Sequence, residues 1–177
     1  MALKRDEVVN HLPAMRRYAR ALTRSDDMAD DLVHDALVRA YDGAATFRAD
    51  HALRGWLLAI VRNSFVSSIR RARSEASRDA SYSEIAQDRA DGGQEQAAYL
   101  AQIARRFDAL PEQQRTVLHL ISVEGLNYQE AAAVLGVPIG TVMSRLSRAR
   151  AALRSMEEQA EHQAVRSLKV VGGTDGH

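Results

Sequence analysis

The stretch from Leu126 to Arg154, LNYQEAAAVLGVPIGTVMSRLSRARAALR, constrains the fold more than any other, because helix-start and helix-stop signals stand at fixed offsets within it. Asn127 is a capping residue, and Glu130, three positions on, can reach back to the cap's own N–H. Ala131, Ala132 and Ala133 give this helix thin sides. Gly136 can take the left-handed conformation that ends a helix, and Pro138 sits where the next one begins. The expected unit is helix, tight turn, helix, with small residues where the two must approach closely.

With Val142 at the origin of the second helix and a step of about 100° per residue, Leu146, Ala149 and Leu153 fall within about 40° of it and form an inner stripe. The opposite face holds Thr141, Ser144, Ser147, Arg148 and Ala151, flanked by Met143, Arg145, Arg150 and Arg154. Short hydroxyl side chains let a helix into a major groove, a central arginine can pair with a guanine edge, and flanking arginines bind phosphate. A solvated basic helix is the plainer reading. The absence of any acid from Pro138 to Met156 weighs against it, since a merely soluble helix mixes signs.

The rest of the chain reads as helical too. Aromatic residues make up only 5% of it, while Ala, Leu and Arg dominate, which favours helix over strand. Val8, Leu12, Met15, Ala19 and Leu22 form one apolar stripe over residues 7–22, ending at Thr23. Ser25 or Asp26 caps a second helix with Leu32, Ala36, Leu37, Ala40 and Tyr41 inward, closing at Gly43. The segment LRGWLLAIVRNSFVSSIRRAR is apolar on nearly every side through Trp56, Leu57, Leu58, Ile60 and Val61, and reads as a central buried helix that continues through Phe65, Val66 and Ile69. Trp56 is read as core. Pro111 suits the first position of a helix whose inner face is Val117, Leu118 and Ile121.

The net charge of +1 conceals an uneven distribution: thirteen bases against nine acids in residues 1–73, four against seven in 74–110, five against three in 111–154, and two against four beyond. Two basic blocks separated by an acidic one suggest two polyanion-facing modules. Residues 74–96 are polar and contain DGG, as a solvated linker does. The expected architecture is therefore all-α: two small helical domains, 1–73 and 99–156, a flexible acidic linker at 74–98, and a polar, frayed tail at 157–177.

There is no cysteine, hence neither a disulfide framework nor a thiolate metal site. The N-terminus lacks an apolar signal core, and no run approaches the ~20 apolar residues of a membrane span, so a soluble cytoplasmic protein without membrane insertion is expected. His11, His34, His51, His119, His162 and His177 share no metal-ligand spacing, and no glycine-rich phosphate loop is present, so an enzyme has little support. A helix-turn-helix repressor would use residues 126–154 as well, but would leave the first 73 residues without a task.

Taken in order, three stretches resemble the bacterial extracytoplasmic-function (ECF) sigma factors, the alternative promoter-specificity subunits of RNA polymerase. DDLVHDALVRAY resembles region 2.2 of that family, FRADHALRGWLLAIVRNSFVSSIRR its regions 2.3 and 2.4, and LPEQQRTVLHLISVEGLNYQEAAAVLGVPIGTVMSRLSRARAAL its region 4. The resemblance covers residues 7–154 and implies no catalysis and no cofactor. It implies core RNA polymerase, promoter DNA and an anti-sigma protein as partners, and a stress or envelope response. The central segment is reminiscent of the general-stress subgroup.

By resemblance, Met143, Ser144, Ser147 and Arg148 face the minus-thirty-five bases with Arg145 near phosphate, and Thr141 belongs to the same DNA-binding face. Many members carry Lys or Arg where this chain has Met143, so that contact is apolar here. Asp31, Leu32, His34 and Asp35 are implied to dock on the polymerase clamp, with His34 where Gln is usual. Acids in a first helical turn are worth ~0.3 to 1 kcal/mol each, which accounts for Asp26 and Asp27 but not for Asp31 and Asp35. For the minus-ten element, the family's base pocket lies beside a loop placed here near Arg62, Asn63 and Ser64, with Phe47 as a stacking face. Asn63 is read equally as a helix cap. The acidic linker resembles the segment that members thread toward the RNA exit path; a solvated tether fits its composition as well.

Overall fold

The computed structural model describes residues 5–47, 52–76 and 94–171. Eight α-helices follow one another, and no strand occurs among the described residues: α1 (Arg5–Val9), α2 (Leu12–Thr23), α3 (Asp26–Asp42), α4 (Leu53–Ala76), α5 (Gln94–Asp108), α6 (Glu112–Ser122), α7 (Tyr128–Leu135) and α8 (Ile139–Val171), with one 3-10 turn at Ala44–Thr46.

The apolar stripe over residues 7–22 is buried, but it is carried by two helices instead of one. Pro13 is the cause. It stands in the first turn of α2, where a missing N–H costs nothing, whereas in one continuous helix its ring would strike the carbonyl of Val9. Thr23 ends α2, and Arg24 follows in the left-handed conformation at φ 60°. Ser25, not Asp26, caps α3: its hydroxyl accepts from the Met28 N–H. At the far end the Gly43 N–H closes onto Arg39 at 2.8 Å, and a Cβ at Gly43 would lie 3.0 Å from that same carbonyl oxygen.

The long α4 is central, as its apolar character requires, packing on α2, α3 and α7. Leu57, Leu58, Val61 and Phe65 are buried, and Trp56 is half-buried against the Phe47 ring at 5.2 Å between centroids. It runs unbroken from Leu53 to Ala76, so no loop lies near Arg62, Asn63 and Ser64. Asn63 is an exposed mid-helix residue and not a cap. The small Ser64 side chain is wholly buried within the unbroken helix, although the stretch resembles a break. The connection between α3 and α4 is instead at Gly43–Ala52, with Phe47 in its described part.

Two more boundaries differ from expectation. Pro111 occupies the position just before α6 and not its first turn. The tail does not fray after Met156; α8 continues to Val171, and helix also covers residues 74–76 and 94–98 of the expected linker. The middle of that linker, 77–93, lies outside the described residues.

The two halves pack on each other. α2 lies against α6 and α4 against α7. One cluster of buried side chains runs from Val8 and Met15 through Leu57 and Val61 to Leu120, Val134 and Leu146. Polar groups cross the same boundary. Arg115 of α6 donates from Nε to the Ala21 carbonyl at 2.6 Å, an oxygen in the last turn of α2 that lacks an intrahelical partner. Arg24 donates to the Leu110 carbonyl at 3.3 Å.

Candidate nucleic-acid interface

The helix pair at 126–154 forms as its signals require. The Asn127 side chain accepts from the Gln129 and Glu130 N–H groups at 2.9 Å, and the Glu130 carboxylate accepts from the Asn127 N–H at 2.8 Å. Gly136 closes α7 at φ 60°, a conformation that other residues adopt only at a cost. Val137 and Pro138 complete the turn, and the Thr141 and Val142 N–H groups both return to the Pro138 carbonyl.

α8 therefore leaves α7 at a defined angle with its apolar stripe inward. Val142, Leu146 and Ala149 are buried and Leu153 is half-buried against the same cluster. The outer face presents Ser144, Ser147 and Arg148, all exposed, with Arg150 and Arg154 beside them and Met143 53% exposed. A thioether exposed to that degree on a basic face gains nothing from the fold and is available to an apolar edge such as a thymine methyl. Thr141 and Arg145 are half-buried at the margin. Arg145 lines a small cleft of about 40 Å³ where α8 meets α4 and α6, together with Arg62 and Glu112.

On α3 the acids divide. Asp26 pairs with Arg20 and Asp30 with Arg16, both across to α2, and Asp35 pairs with Arg39 one turn on at 3.0 Å. Among the described residues no ion pair involves Asp31, which is exposed and borders a groove of about 260 Å³ between α3 and α4 along with Leu32, Asp35 and Arg71. Leu32 is buried and lines the groove; His34, two residues on, is exposed. Phe47 rests on Trp56, and Asn63 is seven residues beyond Trp56, close to two full turns, so both belong to the same side of α4. Arg62, half-buried, lies on the neighbouring flank toward α8.

The most enclosed charge is one that no motif marks. Glu124, in the connection between α6 and α7, has a fully buried side chain. Arg17 of α2 donates to both of its oxygens at 3.0 Å, Arg54 of α4 reaches Oε2, and His119 of α6 lies 3.2 Å from Oε1. Burial alone would raise the Glu124 carboxyl, but the hydrogen bonds from Arg17 and Arg54 override it and hold the group below the usual carboxylate range. Burial pushes the His119 imidazole down, with Glu124 opposing. A lone Glu in VEGLNY gives no sign of this in sequence; only the three-dimensional convergence of α2, α4 and α6 does.

Among the described residues no group of three His, Cys, Asp or Glu side chains could hold a metal ion, and no helix is long and apolar enough to cross a membrane. Family models match in two places: sigma-70, region 4, over residues 100–153, and the sigma2 domain of PhyR over residues 8–62. The chain is 35% identical over 153 residues to the ECF RNA polymerase sigma factor EcfG of Rhodopseudomonas palustris, covering 86% of this chain and 83% of that one. It is 35% identical to the ECF RNA polymerase sigma factor SigM of Mycobacterium tuberculosis, covering 81% and 71%. Among solved structures it is similar to the sigma factor RpoE in complex with the anti-sigma factor NepR from Bartonella quintana, with TM-score 0.73, 33% identity and coverage of 86% and 95%.

Proposed function

The chain belongs to the ECF RNA polymerase sigma factors, and from that membership we propose how its surfaces divide the work of promoter-specific initiation. It is an alternative sigma factor: it joins core RNA polymerase and directs transcription from its promoters, while the chemistry of RNA synthesis belongs to the polymerase. The outer face of α8 enters the major groove at the minus-thirty-five element. There Arg148 pairs with a guanine edge, Ser144 and Ser147 allow close approach, Met143 meets an apolar base edge, and Thr141, Arg145, Arg150 and Arg154 hold phosphates. Phe47, Arg62 and Asn63 take the nontemplate strand at the minus-ten element, by stacking and by contacts to a base edge. Asp31 and Asp35, with His34 beside them, dock on a basic surface of the polymerase.

The family model for region 4 supports placing the minus-thirty-five reader in residues 99–156, and that for the sigma2 domain supports residues 1–73 as the module for core polymerase and the minus-ten element. An anti-sigma protein holds the chain inactive until a stress signal arrives; the support is the similarity to RpoE, whose solved structure is a complex with the anti-sigma factor NepR. A cytoplasmic location follows from a partner that is core polymerase.

The observation that carries this reading is the sorting of side chains around α8: an apolar stripe wholly inward, hydroxyls and arginines outward, and no acid on its first four turns. Incubating the purified chain with bacterial core polymerase on genomic DNA and mapping the 5′ ends of the transcripts tests it. Transcripts sharing one pair of upstream elements are expected. A chain that fails to associate with core polymerase would refute the reading.

A further inference from the structure

Four methionines stand among the described residues, and the fold treats them differently. Met15 is wholly buried and Met156 half-buried against the core cluster, whereas Met28 is 58% and Met143 53% exposed. A thioether gains little from water, so two that face it this openly carry a cost that packing does not explain. Met28 lines the groove between α3 and α4 beside Asp31 and Phe65, and Met143 stands on the outer face of α8 with Ser144, Ser147 and Arg148. Resting on the sigma-factor reading, we propose that Met143 is a reversible oxidation site: a peroxide converts its thioether to the sulfoxide, and the sulfoxide withdraws this face of α8 from the minus-thirty-five element.

Access is built into the helix. Long helical side chains lean back over the preceding turn, and for Met143 that turn holds Gly140, where even an added Cβ would meet nothing within 4 Å. Ile139, the other residue of that turn, is itself exposed, and Ser144 and Ser147 are exposed and short. The sulfur is therefore open to a molecule the size of hydrogen peroxide. The chain has no cysteine, so no thiolate competes for the oxidant. In the step, a sulfur lone pair attacks one peroxide oxygen; the O–O bond breaks as the S–O bond forms, and the other oxygen leaves as hydroxide and takes up the remaining peroxide proton to become water. The sulfur is oxidised by two electrons and the peroxide is reduced by two.

The product is unsuited to the groove that the thioether enters. Methionine sulfoxide is polar and chiral, and its oxygen only accepts hydrogen bonds. Against a thymine methyl that oxygen gives up its water without finding a donor, and against the N7 and O6 acceptors of guanine it is repelled. Val142, Leu146 and Ala149, which seat α8 on its neighbours, are untouched by the reaction. Promoter reading is lost while the fold is kept, and reduction of the sulfoxide restores the original face.

Treating the purified full chain with hydrogen peroxide, and quenching with catalase before core polymerase is added, tests the site by peptide mass and by transcription. Met143 should gain its oxygen at least about tenfold faster than the buried Met15. Initiation at the chain's own promoters should fall about tenfold, the scale of one lost base contact, and should return after incubation with methionine sulfoxide reductases for both epimers. Met143→Leu has no sulfur to oxidise there, so relative to its own untreated activity it should lose less than about twofold, while Met28→Leu should lose as much as the parent. The proposal is overturned if Met143 reacts no faster than Met15, if Met143→Leu loses as much as the parent, if Met28→Leu alone removes the sensitivity, or if the reductases restore the thioether but not initiation. Failure of the untreated chain to direct any transcription would refute the sigma-factor reading and the promoter effect with it, while the order of oxidation among the methionines would still decide whether Met143 is a reactive site.

Discussion

The Arg115 guanidinium of α6 spans the boundary between the two halves, with Nε 2.6 Å from the carbonyl of Ala21 in α2 and Nη1 2.8 Å from that of Leu110. The residue is 2% exposed, and burial lowers the affinity of its guanidinium for the proton, which signals how much hydration it has given up. Arg115→Met keeps the volume but strands the Ala21 carbonyl, while the Leu110 carbonyl retains Arg24 as a donor. Leaving one buried acceptor without a donor costs about 1 to 3 kcal/mol, to be read as a lower urea midpoint at unchanged m-value. Arg115→Lys should rescue little, since one ammonium cannot reach both diverging carbonyls as a planar fork does.

On α8, Arg148→Ala should reduce initiation at the chain's own promoters by roughly 5- to 150-fold, the equivalent of losing one bidentate base contact of about 1 to 3 kcal/mol. Association with core polymerase should be unchanged, because Arg148 is on the exposed face opposite Val142 and Leu146. Arg150→Ala or Arg154→Ala should weaken all promoters alike and lower the salt slope by about one. Run-off transcription across a salt series separates the two behaviours, and equal losses for all three variants would reject the groove assignment.

The acids of α3 should not contribute equally. Asp35 already pairs with Arg39, whereas among the described residues no ion pair engages Asp31, so Asp31 has more to gain from a basic partner. Asp31→Arg with Asp35→Arg should weaken core binding by at least about tenfold, and Asp31→Asn alone should cost more than Asp35→Asn, since charge pairs across an interface are favourable only where the charge is not already engaged. Competition with a labelled parent chain for core polymerase measures both.

How far these features were legible in sequence depended on whether their cause was local. The turn between α7 and α8 was readable because Asn127, Glu130 and Gly136 act on their own backbone within a few residues. The face of α8 followed from helical periodicity alone. The break at Pro13 was equally local and available, but the uninterrupted apolar spacing from Val8 to Leu22 obscured it. Asn63 and Ser64 imitate a helix end by composition; that Ser64 is buried against neighbours from other helices is a tertiary fact that the string does not carry. The same holds for Glu124 and Arg17, which are 107 residues apart and individually resemble surface charges. Packing between the two helical domains is decided by such pairs, which is why their contact was not legible in the string.

The last prediction concerns pH. His119 is buried beside Glu124, faces Arg17 of α2 and Arg54 of α4 across that carboxylate, and stacks on Tyr18 at 5.8 Å between centroids. Burial holds its imidazole below the ordinary value of 6.5, so the folded chain keeps His119 neutral where the unfolded chain would take up a proton. The unfolded state then binds more protons, and stability rises with pH through this window. Stability supplied by a neutral His119 is therefore complete above about pH 7 and declines as the pH falls below 6.5 toward the depressed folded value. Glu124, also depressed, adds its own loss only further down, below the carboxylate range near 4.5. His119→Gln retains a hydrogen-bond donor toward Glu124 without a titratable ring, so its urea midpoint should be flat between pH 7 and pH 5.5 where the parent's declines. A parent midpoint as flat as the variant's would mean that the imidazole takes up its proton alike in folded and unfolded chains, and that Glu124 compensates its burial fully.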